Sequence, residues 1–203
     1  MSYSKLTIVI PTFYPGKIIK KCLDSLPLES EIIIIDNGED PELEKIIKLR
    51  THKIKHYKVG DVGLSKSFNI ALDKSKNENI LITQPDVYFE KDSIINLIKA
   101  QKKYSKAGII APLLFEKKKY SSYDYLDLSL SKLGNLKNMK RAKKVNILPS
   151  GDICVEAVNA TAMLIRKSII RKVKGWDENI YTYHEDIDLC LRLRKKGYSI
   201  MKI

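Results

Sequence analysis

The run Leu6-Thr-Ile-Val-Ile10, stopped by Pro11, is apolar and β-branched on both faces, the pattern of a fully buried strand. From 17 to 26 the apolar residues fall at 18, 19, 22, 23 and 26, which is helical spacing. The same alternation continues along the chain. Residues 31–35 and 54–59 predict strands, with a helix over 41–49 between them that opens on Pro41. Gly63 opens a loop, and a helix follows over 65–74. Residues 79–83 predict a fourth strand, stopped by Gln84-Pro85-Asp86. A helix over 92–104, with Asp92 as its N-cap, leads to a fifth strand over 107–112. Strand-helix alternation of this kind predicts an α/β fold, a parallel sheet with helices on both faces.

In such sheets ligands bind beyond the carboxyl ends of the strands. Four strand ends here carry polar residues: Pro11-Thr12, Asp36-Asn37, Asp61 to Gly63, and Gln84 to Asp86. Each alone reads as a turn before it reads as a site, since Asp, Asn, Gly and Pro all favour turns. Together on one rim they point to a site.

Residues 116–144 break the pattern. They hold nine Lys and Arg against three Asp and Glu, a net +6 of the chain's formal +13, with Tyr120, Tyr123 and Tyr125 interspersed. This segment reads either as a solvated insertion or as a basic lip for acidic lipid head groups or a pyrophosphate-linked acceptor. Beyond it, 153–158 and 162–165 are strand-like, and 167–173 reads as a short helix. Gly175 to Asn179 reads as a turn, 183–196 as a helix capped by Gly197, and 198–203 as a strand.

At 203 residues the chain fits one domain with a sizeable core. Its 44% hydrophobic content excludes disorder as the main state, and no run approaches the ~18 apolar residues of a membrane span. The start shows no signal-peptide layout. Cys22, Cys154 and Cys190 are scattered without CxxC spacing, which argues against a disulfide framework or zinc site and fits a reducing cytoplasm. The positive charge suggests an anionic partner. It also raises a basic nucleic-acid-binding module as an alternative, but no helix-turn-helix, RNA-recognition or zinc signature supports that, and the expectation is no nucleic acid.

Four motifs carry a resemblance. They are Thr7-Ile-Val-Ile-Pro-Thr12; Ile35-Asp-Asn-Gly-Glu-Asp40; Gly63-Leu-Ser-Lys-Ser-Phe-Asn69 followed by Leu81-Ile-Thr-Gln-Pro-Asp-Val87; and Gly175-Trp-Asp-Glu178 followed by His184-Glu-Asp-Ile-Asp-Leu-Cys-Leu-Arg192. In this order the chain resembles the family-2 glycosyltransferases with the GT-A fold, particularly bacterial rhamnosyltransferase-like members that build surface polysaccharides. The match runs from Leu6 to the last residue, the basic insertion excepted.

The resemblance implies a single GT-A domain over 1–203: a nucleotide-sugar-binding half (1–112), the insertion (113–150) and an acceptor and catalytic half (151–203). The fold it implies is Rossmann-like, with a mostly parallel central sheet. Because the family continues past this point with a strand, a late His and further helices, the last part reads as incomplete, its C-terminal portion truncated. A truncated, non-catalytic nucleotide-binding domain is the second reading.

The implied activity is inverting transfer of rhamnose or another hexose from a nucleoside-diphosphate-sugar, UDP- or dTDP-linked. The acceptor would be a growing glycan or a polyprenyl-diphosphate-linked one, and the place the cytoplasm or the inner face of the cell membrane, touched through 116–144. By resemblance Asp36 reads the base, with Pro11, Thr12 and Asn37 around it. Asp61 (where the family has Asn), Gly63, Lys66 and Asn69 approach the ribose and diphosphate. Asp86 matches the last acid of the Asp-X-Asp motif and would hold Mg2+ or Mn2+, with Gln84 in place of the first acid. Asp186 is the implied base and Glu185 its supporting acid. Trp176, Asp177 and His184 are the expected acceptor contacts, Trp176 reading equally as core. Asp188 is expected to pair with Arg192 one turn on.

Overall fold

The structure, a computed structural model, describes residues 3–116, 119–120 and 151–203. The 116–144 segment proposed as a basic lip lies almost wholly outside them. The chain begins with β1 (Leu6–Thr12), α1 (Ile19–Asp24), β2 (Glu31–Asp36), α2 (Pro41–Lys48) and β3 (Lys53–Lys58). It continues with α3 (Leu64–Lys74), β4 (Asn79–Thr83), α4 (Ser93–Lys103) and β5 (Ala107–Ala111). Two strands of two residues each, β6 (Phe115–Glu116) and β7 (Lys119–Tyr120), pair antiparallel apart from the main sheet. Then come β8 (Ile153–Val155), β9 (Ala162–Arg166), α5 (Lys167–Lys172), α6 (Glu185–Lys195) and β10 (Ser199–Lys202).

The strands form one sheet in the order β3-β2-β1-β4-β9-β5-β10-β8. β1 to β4 are mutually parallel neighbours, as the alternation predicts. The fifth strand differs. β9 lies between β4 and β5, antiparallel to both, and β8 is antiparallel to β10. The sheet is therefore mostly parallel rather than wholly so. Ala162-Met-Leu-Ile165 is a short apolar run, and such a run fixes burial but not direction.

Both faces are covered. Ile32 and Ile34 of β2 pack with Ile8, Ile10, α1, α2 and α4, while Ile33 and Ile35 pack with Val9, α3, α5 and α6. All four isoleucines are fully buried, each stabilising the fold by roughly 1.5–3 kcal/mol. That two-sided burial is why these strands read as continuous apolar runs rather than alternating ones.

Caps agree in part. Asp40 caps α2, its carboxylate accepting from the Glu42 amide ahead of Pro41. Gly197, at φ 82°, closes α6 with paired bonds from its own N–H to the Arg194 carbonyl and from the Tyr198 N–H to the Leu193 carbonyl, the glycine-terminated helix end the sequence predicts. Asp92 does not cap α4 as expected. Its backbone is left-handed (φ 67°) and its side chain makes no capping bond.

Candidate functional site

The carboxyl ends of β1 to β4 meet at one rim, and a cleft of about 920 Å³ opens there between the ends of β1 and β4. The strand order reverses at β1, so this is the crevice where open α/β sheets take ligands. Of the expected donor residues, Pro11, Thr12, Asn37, Asp61, Gly63, Gln84 and Asp86 line it. Phe13, Tyr14, Ile18, Tyr181 and Tyr183 line it too, and the sequence reading missed them. Their signal was present: Phe13-Tyr14 directly follow Pro11-Thr12, and Tyr181 and Tyr183 lie in the run that leads through His184 to the acid pair.

Asn37 is a framework residue as much as a lining one. Its Oδ1 accepts from the Val62 N–H (3.2 Å) and the Ser67 hydroxyl (3.0 Å), and its Nδ2 donates to the Thr12 carbonyl (3.3 Å). One side chain thus ties the ends of β1 and β2 to the loop entering α3. Gly63 in that loop sits at φ 78°, and a Cβ there would lie 2.6 Å from the Tyr181 ring and carbonyl. The glycine lets Tyr181 close against the loop, where the Tyr181 carbonyl accepts from the Leu64 N–H (2.8 Å) and its hydroxyl donates to Asp61. Next to that carboxylate the phenol is held above its ordinary pKa, so it remains a donor.

Three of the expected donor contacts and all three expected acceptor contacts lie outside the cleft lining. Asp36 is fully buried and does not reach the cleft. Its Oδ1 accepts from the Thr12 hydroxyl and the Gly38 and Glu39 amides, and its Oδ2 lies 3.0 Å from His56 Nε2. With both oxygens engaged it organises the rim. Asn69 also lies outside the cleft lining. Its Nδ2 donates to the Trp176 carbonyl (3.0 Å) and Glu178 (2.9 Å), and its Oδ1 accepts from the Trp176 N–H (2.9 Å), fastening the 175–178 turn to α3. Lys66 is exposed and lines no part of the cleft.

Trp176 is core. It is 2% exposed and packs on Phe68 with ring centroids 5.1 Å apart. Asp177 is exposed and closes a local turn through the Asn179 N–H (3.0 Å) and Nδ2 (2.8 Å). His184 is exposed with φ 72°, beside the cleft but not lining it. Asp188 does pair with Arg192 (2.6 Å), as the spacing predicts.

Glu185 and Asp186 open α6, just behind Tyr183. Asp186 Oδ2 accepts from the Ala160 N–H at 3.1 Å. Gln84 Nε2 donates to the Ala160 carbonyl at 3.2 Å. The peptide groups of one residue therefore join the donor-side strand end to the acid pair. Burial raises the Asp186 carboxyl above its ordinary value, against the pull of the Ala160 N–H.

Glu185 is 3% exposed, and burial with the neighbouring Asp186 charge pushes its carboxyl up to about 7. A carboxyl raised from 4.5 favours the fold while it is protonated. That contribution is full below about 4.5 and is lost as pH rises through about 7. Glu185→Gln is expected to match the parent chain's stability near pH 4.5 and to exceed it at pH 8 by on the order of 2–3 kcal/mol. Urea unfolding across that range checks this. A variant less stable than the parent at pH 8 contradicts it.

Among the described residues, no group of three or more His, Cys, Asp and Glu side chains is placed to hold a metal ion. Asp86, exposed on the cleft, is one carboxylate. Mg2+ is commonly held by one or two carboxylates together with substrate phosphates, so the site fits an ion that arrives with a diphosphate. The three cysteines are free thiols.

The site is thus a cleft at the switch point of a mostly parallel α/β sheet, with Asp61 and Asp86 in its lining. Residues 7–173 match the family Glycosyl transferase family 2, and the chain belongs to that family. It is 29% identical to the rhamnosyltransferase WbbL of Escherichia coli over 90% of this chain and 74% of that protein. It is 24% identical to the N-acetylglucosaminyl-diphospho-decaprenol L-rhamnosyltransferase of Mycobacterium tuberculosis over 95% of this chain and 71% of that one.

In fold it is similar to a mannosyltransferase from Pyrobaculum calidifontis solved with GDP-Man and Mn2+, at a TM-score of 0.71 and 14% identity. The alignment covers 97% of this chain and 53% of that one, so this chain spans about half of that enzyme's length. It is likewise similar to GalNAc-T7 solved with UDP, GalNAc and Mn2+, with a TM-score of 0.75, 13% identity and 42% of that chain covered. Both share the GT-A fold with this chain.

Proposed function

We propose that the chain transfers rhamnose or another hexose, with inversion, from a UDP- or dTDP-linked sugar to a glycan carried on a polyprenyl diphosphate. The observation that carries this reading is the cleft at the β1/β4 switch point, with Asp86 on one wall and Asp186 reaching the same rim through Ala160. The rhamnosyltransferase relatives support the sugar, and the name of the mycobacterial one supports the acceptor class.

The residues divide the work by their chemistry. Phe13, an exposed ring beside Thr12 and Asn37, offers a flat face to a pyrimidine. The loop from Asp61 to Gly63 brings backbone close to the ribose and diphosphate. Asp86 would hold a divalent ion, which offsets charge on the departing diphosphate. Asp186 takes the acceptor hydroxyl proton as that oxygen bonds to the anomeric carbon and the bond to the diphosphate oxygen breaks on the opposite face. Glu185, neutral up to about pH 7, keeps a second negative charge away from that base.

No described helix is long and apolar enough to cross a membrane. The formal +13 charge and the basic 116–144 segment support contact with a lipid-linked acceptor at an anionic cytoplasmic membrane face. The test is incubation with UDP- and dTDP-hexoses and a polyprenyl-diphosphate-linked N-acetylglucosamine, followed by NMR of the new linkage. The expected product has the anomeric configuration opposite to the donor's. A product retaining the donor configuration, or donor turnover with no acceptor product, contradicts the proposal.

A further inference from the structure

Gln84 stands where the resemblance implies the first acid of a metal-binding pair, yet its bonds serve another purpose. Its Nε2 donates to the Ala160 carbonyl (3.2 Å), a contact that a carboxylate, having no N–H, cannot make. The residue is held from its other side, where the Cys22 thiol donates to the Gln84 backbone carbonyl (3.6 Å). The preceding residue repeats the tie: the buried Thr83 hydroxyl donates to the Thr161 carbonyl at 3.2 Å. The end of β4 is thus fastened to residues 160–161 by two consecutive side chains, just before β9 begins. Ala160, itself 4% exposed, then offers its N–H to Asp186.

From this geometry we infer that Gln84 is a positioning residue for Asp186, acting through the Ala160 peptide. This rests on the reading of Asp186 as the acceptor-side base. The amide fixes where the Ala160 N–H points. Among the described residues, that N–H is the one hydrogen bond to the Asp186 side chain from outside its own helix turn. Losing the amide loosens the N–H, and the carboxylate loses both its aim and part of what favours its charged form. The charged groups beside Asp186 are Glu185, which opposes its ionisation, and His184, which favours it when protonated.

Gln84→Met keeps the length and volume and removes the N–H. The expected result is a kcat about tenfold lower, with the Kd for UDP or dTDP in the presence of Mn2+ within about twofold of the parent chain. The acid limb of the kcat profile moves to higher pH. A carboxylate titration by 13C NMR, with Asp186 assigned by its absence in Asp186→Asn, is expected to move up by about half a unit in Gln84→Met.

Gln84→Asn, with a shorter amide, is expected to recover part of the kcat, and Gln84→Glu to recover none. A Gln84→Met chain that weakens nucleotide binding by as much as it lowers kcat makes Gln84 a donor ligand and overturns the inference. An unmoved Asp186 titration overturns it as well. If the parent chain transfers no sugar, the function reading fails, and the Asp186 titration alone decides the positioning role.

Discussion

Replacing Asp186 by Asn is expected to lower sugar transfer by about 10²–10⁴-fold, the range a positioned general base supplies. Donor binding should survive. Asn keeps an oxygen that can accept from the Ala160 N–H, so the start of α6 stays anchored where Asp186 Oδ2 now lies, 3.1 Å from that nitrogen. Asp186 also lies outside the cleft lining that would contact the nucleotide. Burial already raises the Asp186 carboxyl, so an uncharged group costs the fold little. Transfer rates and nucleotide titrations on the same preparation separate these effects. Equal losses in transfer and nucleotide affinity would move Asp186 from base to donor ligand.

Trp176→Ala is expected to destabilise the fold by about 3–5 kcal/mol, the cost of deleting a large buried aromatic. The side chain is 2% exposed, packs at a tilt against Phe68, and sits in the layer shared by α3, α5 and α6. Its backbone is gripped by Asn69 on both N–H and C=O, so the cavity has little freedom to collapse. Urea unfolding measures this directly. A variant with parental stability and a loss confined to acceptor KM would return Trp176 to the acceptor surface, where the resemblance placed one of its alternatives.

The two residues show where the sequence was legible. The parallel half was readable because Ile32 to Ile35 and Leu6 to Ile10 are buried on both faces, and runs of that kind have few other uses. The cleft was readable because polar residues follow four such runs, and parallel strands bring their carboxyl ends to one rim. The place of β9 was not readable. Pairing partner and direction depend on long-range contacts, and Ala162-Met-Leu-Ile165 carries no mark of either.

Within the site, residue type indicated chemistry but not which way each side chain faces. Asp36 and Asn69 sit in motifs that point to the donor, and both turn inward to hold the loops that shape the cleft. Gln84 read only as a donor-side residue in place of the first acid, because spacing cannot reveal a hydrogen bond to a residue 76 positions away. The aromatic lining of Phe13, Tyr14, Tyr181 and Tyr183 was passed over because residue type does not reveal whether a ring faces the core or a cleft.

The central claim is that the β1/β4 cleft takes a nucleoside diphosphate together with a divalent ion. Calorimetric titration of the full chain with UDP, dTDP and GDP, with and without Mn2+, tests it most directly when repeated on Asp86→Ala. The account predicts binding of a pyrimidine diphosphate that Mn2+ tightens at least tenfold, a gain lost in Asp86→Ala. Binding to none of the three nucleotides, or binding indifferent to both Mn2+ and Asp86, would contradict it.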